Sequence, residues 1–251
     1  MTISVIIPTL NEERTIMATL AQTAALGFDE LIVADGGSHD QTPLLVESYR
    51  LRTQHSVLSP VRLLPAPRGR ARQMNEGAKA SRGEILLFLH ADTQLPDDAK
   101  TVIETAMAGQ DLVGGRFDVR FDRPSRWGSI ISSMMNWRSR ISGIATGDQA
   151  LFVRRPIFEQ MGGFADVPLM EDIDFSRRLK RRGVTAALTA TVTTSFRRWE
   201  QQGPLPTILL MWALRFLYWI GVSPHRLAHL YATVRETARG EGHEAMDQRN
   251  R

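Results

Sequence analysis

The sequence predicts an α/β fold: a mainly parallel sheet flanked by helices, with further helices towards the C-terminal end. Three observations predict it. Apolar runs of strand length alternate with helix-compatible segments from residue 3 to residue 108, the pattern of βαβ units. Three of those runs end in polar groups, at Thr9 and Asn11, at Asp35 to Asp40, and at His90 to Asp92. In open sheets of this class, ligands sit beyond the carboxyl ends of the strands. The 251 residues suffice for one large α/β domain or two fused halves.

Taken in order, "ISVIIP" at 3–8 is a β-branched run stopped by Pro8, which predicts a buried strand. Residues 12–25 predict a helix, with Ile16, Leu20 and Ala24 at four-residue spacing. "ELIVA" at 30–34 predicts a second strand, followed by the loop "DGGSHDQT" and a helix over 41–52. A third strand is expected at 61–64, a small-residue helix at 70–81, a fourth strand at 84–90 ("EILLFLH") and a helix at 96–108. Beyond residue 110 the alternation weakens. Residues 111–122 alternate like a strand open on one side, 125–141 are compatible with a helix, and 147–155 read as loop then strand. "LMEDIDFSRRLKRRG" at 169–183 predicts a helix with an acidic start and a basic end, closed by Gly183, and that charge order suits the helix dipole. Residues 184–196 are Thr/Val/Ala-rich and extended.

Composition narrows the chemistry. With 43% hydrophobic and 23% charged residues a sizeable core is available. The net charge of +4 fits anionic small molecules, anionic lipid or nucleic acid. Nucleic acid is disfavoured, because the basic segment 68–83 carries no aromatic residue for stacking. The absence of cysteine excludes disulfides and thiolate metal sites. The opening residues "MTISVIIPTLNEE" read as a first strand and not a signal peptide, so the expected location is cytoplasmic.

The strand ends carry the candidate chemistry. "DGGSHDQT" matches neither G-x-G-x-x-G nor a Walker A sequence, which disfavours dinucleotide oxidoreductases and P-loop ATPases. Asp35 is placed to accept hydrogen bonds from a base or ribose; the structural reading is a turn in which Asp40 caps the next helix. Arg68, Arg70, Arg72, Lys79 and Arg82 form a basic segment that could meet a diphosphate or simply face solvent, with Arg68 and Arg72 on one helix face. Asp92 offers a hard oxygen ligand for Mg²⁺ or Mn²⁺, and equally reads as a strand-end turn residue. His90 is a second possible ligand or a hydrogen-bonding residue. Glu171, Asp172 and Asp174 open a helix, either as helix-start charge or with a general base among them.

Together, "VIIPTLNEE" (5–13), "DGGSHDQT" (35–42), "LFLHADT" (87–93), "GDQALFVRR" (147–155) and "MEDIDFSRRL" (170–179) resemble the family 2 glycosyltransferases, in family order and over residues 3–183. The resemblance implies a GT-A fold, a Rossmann-like sheet, and inverting transfer of a sugar from a nucleotide-sugar donor, UDP ahead of GDP, to an acceptor hydroxyl with a divalent metal. It implies donor contacts from Pro8, Thr9, Glu13, Asp35, Ala91 and Asp92, with Asp92 also the metal ligand, and Asp172 as the base on the acceptor. Arg70 and Arg72 are expected on the diphosphate. Asp148, Gln149, Glu171, Arg198 and Trp199 are the candidate acceptor side. Two departures stand out. The D-x-D motif is His90-Ala91-Asp92, without its first acid, and Leu10 stands where an aromatic often follows Pro-Thr. "SFRRW" at 195–199 has Ser195 in place of the glutamine of processive members, so processive polymerisation is not expected. The resemblance divides the chain into a nucleotide-sugar half (1–115), an acceptor half (116–200) and a C-terminal helical extension (201–251).

"TILLMWALRFLYWIGV" at 207–222 is apolar almost all round but shorter than the ~20 residues that span a bilayer. It is expected to meet a membrane surface, with Arg197, Arg198, Arg226 and Arg235 on headgroups, or to pack in the core or against a second copy. The membrane alternative would place the protein at the inner face and favour a lipid or membrane-proximal acceptor. Two competing functions are a sugar nucleotidyltransferase, which the glycine-free "TLNEER" at 9–14 disfavours, and a non-catalytic nucleotide-sugar or membrane-binding module, which the missing first acid motivates.

Overall fold

The computed structural model describes residues 1–232 except 55 and 110; Arg235 and the rest of the 201–251 extension beyond 232 lie outside the described residues. The chain forms two compact units. The first holds Met1–Asp166 and Glu171–Ser195. The second holds Val167–Met170 and the residues from Phe196 onward.

The first unit runs β1 (Ile3–Thr9), α1 (Ile16–Ala25), β2 (Glu30–Asp35), α2 (Thr42–Thr53), β3 (Val61–Pro65), α3 (Arg70–Ala80) and β4 (Ile85–Phe88). It continues with β5 (Thr93–Gln94), α4 (Ala99–Met107), β6 (Leu112–Phe121), α5 (Arg126–Ser142), a 3₁₀ turn (Gly147–Gln149), β7 (Leu151–Arg154), α6 (Arg155–Gln160), α7 (Glu171–Lys180) and β8 (Val184–Thr194). The second unit carries α8 (Arg197–Gln202), α9 (Pro204–Trp219) and helical residues 224–232.

One sheet of order β3-β2-β1-β4-β7-β6-β8-β5 forms the frame. β1 pairs in parallel with β2 and β4, and β2 with β3, so their carboxyl ends share one edge. β7 runs antiparallel to β4, with Leu151 opposite Phe88, so the chain entering β7 does so at that same edge. This inversion brings the 147–149 turn to the strand ends.

Both faces of the sheet are buried at β1, β2 and β4, which is why these strands are apolar at successive positions. Val5, Ile7, Val33 and Leu87 pack on α1, α2 and α4 through Leu20, Val46 and Ile103. Ile6, Leu86 and Phe88 pack on α3, α6 and α7 through Met74, Phe158 and Phe175.

Several boundaries differ from those expected, for local reasons. The first helix starts at Ile16 and not residue 12, because Asn11 turns the chain with φ 56° and the Thr15 and Ile16 N–H groups close a turn on Glu12 O. Arg68 precedes α3, which begins at Arg70, so Arg68 and Arg72 do not share a helical face. α7 ends at Lys180, and Gly183 lies in the turn beyond, where a side chain would run into Val113. Asp40 sits one residue outside the cap of α2 and accepts from Thr42 N (3.0 Å) and Glu13 N (3.1 Å), tying the first loop to the second.

Candidate active site

The first strand ends are a hydrogen-bonded platform. Thr9 and Asp35 sit opposite one another, and the buried Thr9 Oγ1 donates to Asp35 Oδ1 at 3.1 Å. Asp35 also accepts from Ser38 Oγ (2.6 Å), Ser38 N (2.9 Å) and Gly37 N (3.1 Å). Its four acceptor positions are thereby filled. In this arrangement Asp35 shapes its loop, and contact with a base requires one of these bonds to be exchanged. Glu13 Oε2 accepts from Gln41 N (3.1 Å), which joins the same loops, and Pro8 lies in register with Ala34.

A residue the sequence reading did not single out holds this platform. Gln73 of α3 is buried and donates its amide to Thr9 O (2.6 Å) and Ala34 O (2.9 Å). The signal was present: a glutamine on the face otherwise made by Ala71, Met74, Gly77 and Ala78 needs a buried partner.

The next strand end supplies the turn 90–93, closed by Thr93 N donating to His90 O at 3.1 Å. Asp92 sits at its third position, half-buried, with Thr93 Oγ1 at 3.5 Å as its hydrogen-bond contact among the described residues. Ala91 is buried, and its carbonyl accepts from Thr19 Oγ1 (2.7 Å). His90 turns away from this motif: its Nδ1 faces Asp148 Oδ1 at 3.1 Å. No group of three acidic or histidine side chains that could hold a metal is found among the described residues. Of the residues 90–92, Asp92 is the one that offers a hard oxygen ligand. That fits an ion whose other ligands are substrate phosphates and water, and not an all-protein cage.

β7, α3 and α7 complete a cleft beside His90. Arg70, His90, Gly147, Glu171 and Asp172 line it, over a floor that includes Met74, Phe88 and Phe164. The floor is closely packed: Phe164 stands edge-on to Phe88 (4.8 Å between centroids) and stacks on Phe175 (4.2 Å). Asp172, in the first turn of α7, accepts Gly147 N on Oδ2 at 2.8 Å. Glu171 is buried and receives Arg70 Nη1 at 3.1 Å. Burial pushes the Glu171 carboxyl up, helped by the Asp172 charge and opposed by Arg70. Partial desolvation pulls the half-exposed Arg70 down, but Glu171, Asp172 and Asp148 outweigh it and hold the guanidinium above its ordinary value. The cleft therefore places Arg70 beside the carboxylates of Glu171 and Asp172, with Asp148 behind His90 also acting on its charge.

Two expected contacts fall elsewhere. Arg72 is exposed and paired with Asp166 (2.8 Å), outside the cleft lining. Gln149 is fully buried; its amide nitrogen reaches Ser139 Oγ (2.9 Å) and Phe117 O (3.3 Å), and its oxygen accepts Thr146 N (3.2 Å). It is a frame residue of the turn and cannot touch an acceptor in this arrangement. Arg198 and Trp199 lie on α8 of the second unit.

A mainly parallel sheet with an inverted strand, an aspartate just past the fourth strand and an acidic helix start define a GT-A glycosyltransferase fold. Solved structures share it. The mannosyltransferase PcManGT from Pyrobaculum calidifontis, in complex with GDP-Man and Mn²⁺, superposes with a TM-score of 0.62 at 20% identity, over 92% of this chain and 68% of that one. S. aureus TarS with UDP-GlcNAc gives 0.57 at 21% identity, over 78% and 58%. At these identities the likeness is one of fold.

The chain belongs to glycosyl transferase family 2, whose model matches residues 4–165. The undecaprenyl-phosphate 4-deoxy-4-formamido-L-arabinose transferase of Pseudomonas paraeruginosa is 31% identical over 169 residues, 63% of this chain and 49% of that protein. The enzyme of the same name from Aeromonas hydrophila is 29% identical over 160 residues. This chain spans about half the length of the curated relatives it matches.

Proposed function

We propose that the protein is an inverting, metal-assisted glycosyltransferase acting on a nucleotide-sugar donor, UDP-linked in the first instance. The observation that carries this reading is the cleft in which Asp172, Arg70–Glu171 and His90–Asp148 meet beside the turn that bears Asp92. Donor contacts are assigned to Pro8, Thr9, Glu13, Asp35, Arg70, Ala91 and Asp92, and acceptor contacts to Asp148 and Glu171.

Asp92 would hold the divalent ion, which when bound neutralises charge developing on the departing diphosphate. Arg70 supplies fixed positive charge to the same group. Its hydrogen bond to buried Glu171 sets the direction of the guanidinium. Asp172 takes the proton of the acceptor hydroxyl; the bond from Gly147 N holds the carboxylate in place while leaving acceptor capacity on it. One direct displacement at the anomeric carbon inverts its configuration and needs no enzyme nucleophile.

The names of the relatives favour a second reading of the acceptor, a lipid phosphate. A phosphate oxygen is already anionic and needs no base, so Asp172 would then take no proton from it. Asp172→Asn separates the two. With a hydroxyl acceptor, turnover falls by roughly 10²–10⁴-fold while donor binding persists. With a phosphate acceptor, the same variant keeps most of its rate. Unchanged turnover on both acceptor types would remove Asp172 from the chemistry.

A further inference from the structure

We propose that α5 is a membrane-docking helix that lays its outer face on an anionic phospholipid surface. Trp127, Ile130, Met134, Trp137 and Ile141 are spaced by three, four, three and four residues, so they form one stripe. All five are between 41% and 69% exposed. The stripe runs along a helix of 17 residues, about 25 Å. A contiguous apolar face of this length on a folded protein marks an interaction site. The opposite face is fixed to the sheet: Gly128, Ile131 and Ser139 are buried, and Asn136 grips β6 through both Val119 N (2.9 Å) and Val119 O (3.0 Å). The outward stripe is thus a stable surface of the folded unit.

Charge selects the occupant. α5 contains no acidic residue, and of its three arginines Arg140 pairs with Asp118 (2.7 Å) and Arg138 bonds Ile144 O, so that Arg126, exposed beside Trp127, is the cation at the start of the stripe. A second copy of the helix would offer Arg126 no acidic partner and lacks the complementary flanking charges that pair helices. An anionic headgroup layer accepts that charge, and tryptophan favours the boundary between headgroups and acyl chains. The second unit repeats the pattern independently. On α9, Leu205, Leu209, Trp212, Phe216 and Trp219 form an exposed stripe at the same spacing, again with no acidic residue in the helix. Four of the chain's five tryptophans lie on these two stripes. No helix among the described residues is long and apolar enough to cross a membrane, so the contact is interfacial. The inference deepens the lipid-linked acceptor reading and rests on it only for its purpose, since docking would bring the cleft to an acceptor held in the bilayer.

The test is flotation of the full chain with vesicles of phosphatidylcholine, with and without phosphatidylglycerol. The wild type should float with the anionic vesicles and much less with the neutral ones. Trp127→Ser/Trp137→Ser should lower binding by roughly ten-fold or more, and Arg126→Glu should erase the preference for phosphatidylglycerol. Donor-induced thermal shifts should be unchanged in both variants, which shows that the fold is intact. Flotation of the double variant equal to wild type overturns the proposal, as does a wild type that ignores anionic vesicles. A dimer in sedimentation that the double substitution dissociates, without vesicle binding, assigns the face to a second copy instead. Vesicle binding without any donor shift would sink the transferase reading and leave the docking helix standing.

Discussion

Gly147 lets His90 and Asp172 share one small space. A Cβ built there would overlap the His90 ring, while its N–H is held by Asp172. Gly147→Ala must displace the imidazole and loosen its contact with Asp148. Overpacking of this kind costs about 1–3 kcal/mol. The expected outcome is a folded protein by circular dichroism whose turnover is reduced more than ten-fold; retained turnover would show that the His90 position is not used. Glu171 gives a pH prediction. Burial raises its folded-state value above the unfolded one, so its unfavourable contribution is absent at low pH and grows as pH rises through the carboxylate range towards the raised value. Glu171→Gln lacks that contribution. The melting temperature of Glu171→Gln minus that of wild type should therefore increase from about pH 4 upward, and a decrease would contradict the assigned burial. At this scale Asp92 and Asp172 were readable as candidates from strand-end and helix-start position. The His90–Asp148 contact was not, because it joins residues 58 apart and depends on β7 running antiparallel. The burial of Gln149 was hidden for the same kind of reason: a polar residue in a polar loop gives no sign of which way it faces.

Among the elements, α3 does more than offer basic residues. Gln73 donates to the carbonyls of Thr9 and Ala34 at the carboxyl ends of β1 and β2. Gln73→Ala leaves Ala34 O without that amide and removes one donor from Thr9 O, at a cost of about 1–3 kcal/mol. Denaturant titration should show that loss, together with weaker donor binding; unchanged stability would mean that water replaces the amide. The long periodic elements were readable because burial on both sheet faces writes apolar runs into β1, β2 and β4 and apolar residues at helical spacing on α1 and α4. Short elements escaped. β5 has two residues, and α6 has six with Pro156 in its first turn, too few for any period to show.

For the whole molecule, the topology accounts for the cleft: parallel β1, β2 and β4 deliver loops to one edge, and the inverted β7 returns the chain to the same edge. The missing first acid leaves Asp92 as the pivot of the functional account. The most direct measurement is a set of thermal shifts with UDP-, GDP- and dTDP-sugars, each with and without Mn²⁺, on wild type and Asp92→Ala. Donor at a hundred times its Kd stabilises the fold by about 2.7 kcal/mol, a rise of roughly 5–10 °C for a chain of this size. The account predicts such a rise for one nucleotide class, dependent on Mn²⁺ and absent in Asp92→Ala. A shift that ignores both the metal and the substitution, or no shift with any donor, would contradict it.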